Sequence, residues 1–112
     1  MVEVHVREDS RARLSSFLAT GHAGWADSGE DVVCAAISAV LQAAWLGLSE
    51  VAKVPVKGKR DRATGLLELS WPEEARDRVD VHAILATAIL SVERIAIEYP
   101  EAVHVIREQS DG

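Results

Sequence analysis

One cysteine and four histidines are the residues of this chain best suited to nucleophilic chemistry. The cysteine lies in the run Gly21-His22-Ala23-Gly24-Trp25-Ala26-Asp27-Ser28-Gly29-Glu30-Asp31-Val32-Val33-Cys34-Ala35-Ala36-Ile37-Ser38. A helix is expected to begin at about Asp31, which puts Cys34 in its first turn. Unpaired backbone N–H groups and the helix dipole there favour a thiolate over a thiol, and the thiolate is the nucleophile. His22 stands twelve residues earlier, at the exit of a strand and the start of a glycine-rich loop. Its imidazole is suited to shuttle a proton near neutral pH. Spacing alone leaves two readings of Cys34 open: an inert packed thiol, the usual state of a free cysteine, or a reactive one.

Two neighbours of Cys34 have double readings as well. Asp31 is placed either to orient His22 or to cap the helix. Ser38 is i+4 from Cys34 and shares its helix face, so it either lines a substrate pocket or bonds its own backbone. His5, His82 and His104 are read as structural or solvated. Trp45 and Trp71 are read as core or interface residues. No pair of His or Cys has metal-ligand spacing on one element, so no metal and no cofactor are expected.

The elements that must position these residues follow from hydropathy patterning. Val2, Val4 and Val6 alternate with Glu3, His5 and Arg7, the period of a half-buried strand. Glu8-Asp9-Ser10 supplies turn chemistry and Leu14–Thr20 returns, giving a β-hairpin. Ser28-Gly29-Glu30-Asp31 resembles a capping box before a first helix from about Asp31 to Leu48. Strands are expected at Ala52–Val56 and Leu66–Ser70, joined by the charged loop Lys57–Gly65. Pro72 opens a second helix with Glu73 and Glu74 in its first turn, Leu85, Ile89, Val92, Ala96 and Tyr99 on one face, and Pro100 as its stop. Val103–Arg107 is a last strand. The order β-β-α-β-β-α-β predicts an α+β fold, with two helices packed on a mixed or antiparallel sheet.

At 112 residues the chain is a single domain, residues 1–112, with room for one core. Its composition, 48% hydrophobic and 27% charged, is that of an ordered globular protein. The net charge of −6 speaks against general nucleic-acid binding and suits a basic partner. Val32–Leu48 is expected to be too short and too polar for a membrane span. The N-terminal residues lack a basic segment followed by an apolar run, so a cytoplasmic location is expected.

The pattern Gly-His-Ala-Gly-aromatic-Ala followed by Gly-Glu-Asp-Val-Val-Cys-Ala-Ala-Ile-Ser resembles the ribosomal-processing cysteine protease family Prp. The specific core covers about eighteen contiguous residues, Gly21 to Ser38, and the likeness extends over the chain in length and element order. Trp25 stands where a tyrosine is common in that family. The resemblance implies a homodimer, a Cys34 nucleophile with His22 as its acid/base, and Asp31 and Ser38 near the active site. It also implies a substrate: the precursor of large-subunit ribosomal protein L-twenty-seven, cut after an aromatic, apolar stretch of its N-terminal extension. The rivals are a dimeric ribosome-associated binding protein whose Cys34 merely packs, and a cysteine hydrolase of small substrates. Gly21, Gly24 and Gly29 are expected to act as hinges of a substrate loop that closes Trp25 over the bound peptide. The basic residues of the loop Lys57–Arg62 are either a solvated tip or a contact for ribosomal RNA or an acidic partner.

Overall fold

The computed structural model describes residues 1–21 and 28–110, with residues 28–31 described by backbone alone. The alternating valines form strand β1 (Val2–Glu8), which buries Val2, Val4 and Val6 and pairs antiparallel with β2 (Leu14–Thr20). Glycine-rich sequence then leads into helix α1 (Ser28–Leu46), which continues through a π-helical turn, Gly47–Val51. Strands β3 (Lys57–Asp61) and β4 (Leu66–Ser70) make a second hairpin. A 3-10 turn at Glu73–Ala75 precedes helix α2 (Val79–Glu98), and β5 (Val103–Gln109) completes the sheet.

The sheet is five-stranded in the order β3-β4-β2-β1-β5, antiparallel except for the parallel pair β1 and β5. The α+β fold with two helices on a mixed sheet is therefore as expected from the sequence. One buried cluster joins Val4, Val6, Phe17, Leu67 and Leu69 of the sheet to Ile37 and Leu41 of α1 and to Leu85 and Val92 of α2, so both helices cover the same face. Trp71 belongs to this core. Its ring meets Phe17 edge-on at 5.3 Å between centroids, and its Nε1–H donates to the Leu14 carbonyl at 2.8 Å.

Three expectations change. The apolar segment Ala52–Val56 is a connector and the charged segment Lys57–Asp61 is the strand. Lys53 has φ +59°, which breaks an extended run, and the amides of Ala52 and Val54 turn back to the carbonyls of Gly47 and Leu48. The second helix begins at Val79 rather than at Pro72, because the acids Glu73 and Glu74 open only a 3-10 turn. Finally, Val32–Val51 is 20 residues long and, by length and composition, apolar enough to cross a membrane. Here it serves as a core helix, with Val33, Ile37, Leu41, Ala44 and Leu48 buried against the sheet and α2.

The hairpin turn between β1 and β2 is tied down by Asp9, which is 2% exposed. Its Oδ1 accepts the amides of Arg11 and Arg13, and its Oδ2 accepts Arg13 Nε at 3.1 Å and Arg76 Nη1 at 2.9 Å. Arg13 continues to Glu73 and Asp77, each at 2.9 Å, so the hub links the turn to the segment before α2. Burial works to raise the Asp9 pKa, but these backbone and guanidinium bonds prevail and hold it at about 2.

Candidate functional site

Helical spacing puts Cys34, Ser38 and Gln42 on one face of α1, each one turn from the next. Cys34 is half-buried, and no disulfide partner exists in a chain with one cysteine. A cleft of about 250 Å³ runs between this helix face and the β3–β4 hairpin. The helix lines it with Cys34, Ile37, Ser38 and Leu41, and the hairpin contributes Arg60, Asp61, Arg62 and Gly65. Val2, Ala19, Leu66 and Leu67 make much of the remaining wall apolar.

The hairpin is held against the helix by a close approach at Gly58. A Cβ on Gly58 would collide with the benzene ring of Trp45, so only glycine lets this ring lie on the backbone of β3. Trp45 is thus a half-buried clamp between α1 and β3. With β3 so placed, Arg60, on the helix-facing side of the strand opposite buried Leu67, reaches Gln42. Arg60 Nη1 donates to Gln42 Oε1 at 3.3 Å, and Gln42 Nε2 donates to Ser38 Oγ at 2.7 Å.

The structure alters the expected setting of the cysteine. Because α1 starts at Ser28, Cys34 is its seventh residue and lies in the second turn. An amide at that depth is engaged within the helix, beyond the first four free N–H groups. Asp31 is likewise within the helix, not at its N-cap position. Gly29 is in the first turn of α1. Gly21 lines the cleft with φ +108°, and a Cβ there would strike the Met1 carbonyl, which explains why glycine ends β2. His22, Gly24 and Trp25 lie outside the described residues.

The remaining histidines are away from this cleft. His5 Nδ1 is 3.1 Å from Glu108 Oε1 on the open face of the sheet, where Arg7 Nε also donates to Glu108 at 2.9 Å. The Arg7 bond holds the Glu108 carboxyl below its ordinary pKa, against partial burial. His82 and His104 are exposed. The sequence marks Arg60 only as one basic residue of the loop Lys57–Arg62 and does not mark Gln42 as a site residue. They are eighteen residues apart and meet only across the β3–α1 contact.

The family sequence model described as cysteine protease Prp matches residues 1–104. Among solved structures, SMU.848 from Streptococcus mutans superimposes with a TM-score of 0.88 at 23% identity, covering 98% of this chain and 96% of that one. An essential ribosomal processing protease Prp from S. aureus superimposes with a TM-score of 0.78 at 22% identity, covering 96% and 99%. That protein has been solved with a covalently linked product peptide and with a substrate peptide. No curated protein matches the sequence.

Proposed function

The chain belongs to the Prp family of cysteine proteases, whose sequence model spans residues 1–104, and on that premise we propose that it is an endopeptidase that trims the N-terminal extension of ribosomal protein L-twenty-seven. In this proposal Cys34 is the nucleophile and His22 its acid/base. His22 takes the thiol proton, and the sulfur adds to the peptide carbonyl carbon while the carbonyl electron pair moves onto oxygen. Collapse of this adduct breaks the C–N bond, His22 protonates the leaving amine, and water then cleaves the thioester. Asp31 and Ser38 support the pair. Gly21, Gly24, Trp25 and Gly29 belong to the segment that contacts substrate. The enzyme works as a cytoplasmic homodimer and needs no cofactor.

The observation that carries this reading is that Cys34 opens into a cleft with an apolar wall, of a kind that accepts an aromatic, apolar stretch of peptide. A packed thiol would have no such opening. The test is cleavage of a synthetic extension peptide of L-twenty-seven, followed by mass spectrometry. One cut after the aromatic stretch is expected with the wild-type chain and none with Cys34→Ala. An intact peptide after long incubation with the wild type would contradict the proposal.

A further inference from the structure

The second-turn position of Cys34 leaves a gap in the chemistry. Attack on a carbonyl develops negative charge on oxygen, and a donor must meet it. In many such sites the nucleophile's own amide serves, but in α1 the Cys34 amide lies past the free N–H groups of the first turn. A side-chain donor on the same cleft wall can serve in its place, and Ser38 is there, one turn along.

Whether Ser38 donates depends on what Gln42 does. Arg60 has only donors, so its contact with Gln42 requires the amide oxygen on that side. This fixes the Gln42 NH₂ toward Ser38, and Ser38 Oγ accepts it at 2.7 Å. The Ser38 hydroxyl proton is then committed to some other acceptor. Ser49, Thr87 and Ser91 each donate back to the carbonyl four residues earlier, the ordinary habit of a helical hydroxyl. Ser38 makes no such bond to the Cys34 carbonyl among the described residues. Among the described residues its proton has no acceptor and faces the cleft, and the charge at the far end of the chain polarises it.

We propose that Arg60 and Gln42 are positioning residues, forming a relay in which Arg60 orients the Gln42 amide and Gln42 makes the Ser38 hydroxyl a hydrogen-bond donor to the substrate carbonyl oxygen. The donation strengthens as the oxygen becomes an oxyanion, without proton transfer. The clamp of Trp45 on Gly58 holds the two elements at the distance the relay needs. This inference rests on the proposed protease activity and adds to it the means by which one donor is set.

The test replaces Gln42 with a residue of the same shape and opposite bonding. Gln42→Glu keeps the contact with Arg60 but accepts from Ser38, turning the hydroxyl proton away from substrate. It should lower kcat on the extension peptide about a hundredfold with KM little changed, as Ser38→Ala should. The double variant should be no slower than either single, because both remove the same donation. Arg60→Met, which leaves the amide free to flip, should lower kcat about threefold. Iodoacetamide should label Cys34 at the wild-type rate in Gln42→Glu, so that the loss is traced to the donor and not to the thiol. Gln42→Leu, which fits the half-buried site without either bond, serves if the acid disturbs folding, and it should also lose kcat. Wild-type kcat in both Gln42 variants, or losses that multiply in the double variant, would overturn the relay while leaving the protease in place. A wild-type chain that does not cut the peptide would overturn the protease proposal and the relay with it.

Discussion

The two ends of the β1–β2 hairpin are built to opposite purposes. At one end Asp9 is buried with both carboxylate oxygens engaged: two backbone amides, Arg13 and Arg76 converge on it, and Arg13 runs on to Glu73 and Asp77. At the other, roughly 20 Å along a seven-residue strand, Val2 and Gly21 border a cleft that holds a free thiol, a hydroxyl and apolar wall. Most polar groups at the first end are spent on one another, Arg76 Nε being the buried donor left without a partner among the described residues, and those at the second are left facing a space. A fold this small gains from separating the two, since a densely bonded network rigidifies its surroundings while a reactive group must remain accessible. Substitutions at the two ends should therefore fail in different ways.

The sharpest break is expected at the cleft. Cys34→Ala should remove all measurable cleavage of the extension peptide and leave the melting temperature close to that of the wild type, since a methyl replaces a thiol at a half-buried site. A variant that still cuts, or one that unfolds, would erase the distinction between the two ends. Next in size, His22→Ala should slow turnover by about a hundredfold or more, the scale of general acid/base help. Steady-state kinetics with unchanged circular dichroism is the check, and full activity would remove His22 from the mechanism.

Gly21→Ala should act on stability at the cleft border. The residue has φ +108° and no room for a Cβ beside the Met1 carbonyl, so a loss of about 1–3 kcal/mol is expected from denaturant titration. An unchanged unfolding midpoint would show that the chain end relaxes freely. The smallest effect belongs to the Asp9 hub and depends on pH. The folded-state pKa of about 2 lies below the ordinary 3.8, so the stabilisation is fully present above 3.8 and is lost as pH falls through about 2. The melting temperature of the wild type should drop over that window, and Asp9→Asn, which cannot ionise, should have the flatter curve. Parallel curves would mean that Asp9 ionises alike in the folded and unfolded chain.

Much of this architecture is legible in the residues. The alternation in Val2–Arg7 marks a one-sided strand because only one face of the sheet is covered, and the periodic apolar face of α2 appears as buried Leu85, Ile89 and Val92. Strand β3 is illegible for the same reason in reverse: all five of its residues are exposed at a sheet edge, so backbone pairing to β4 places it without any hydropathy pattern. Ala52–Val56 misleads because Val54 is buried as part of a connector, not of a strand. The pairing of β5 beside β1 depends on a crossover through α2 that no local pattern encodes. In the site, the shared face of Cys34 and Ser38 follows from helical spacing alone. The contact of Arg60 with Gln42 does not, since it exists only after Trp45 has settled on Gly58. The depth of Cys34 in α1 is not legible either, because the helix begins at Ser28 rather than at about Asp31.

The central claim is that Cys34 is a peptidase nucleophile facing a peptide-binding cleft, and active-site-directed labelling tests it most directly. A peptide chloromethyl ketone carrying the extension sequence up to its aromatic, apolar end should alkylate the wild-type chain once. The adduct should map to Cys34 in the digested protein, and excess uncleaved extension peptide should slow its formation. An adduct on another residue, or labelling of Cys34 at the same rate whether or not peptide is present, would contradict the account.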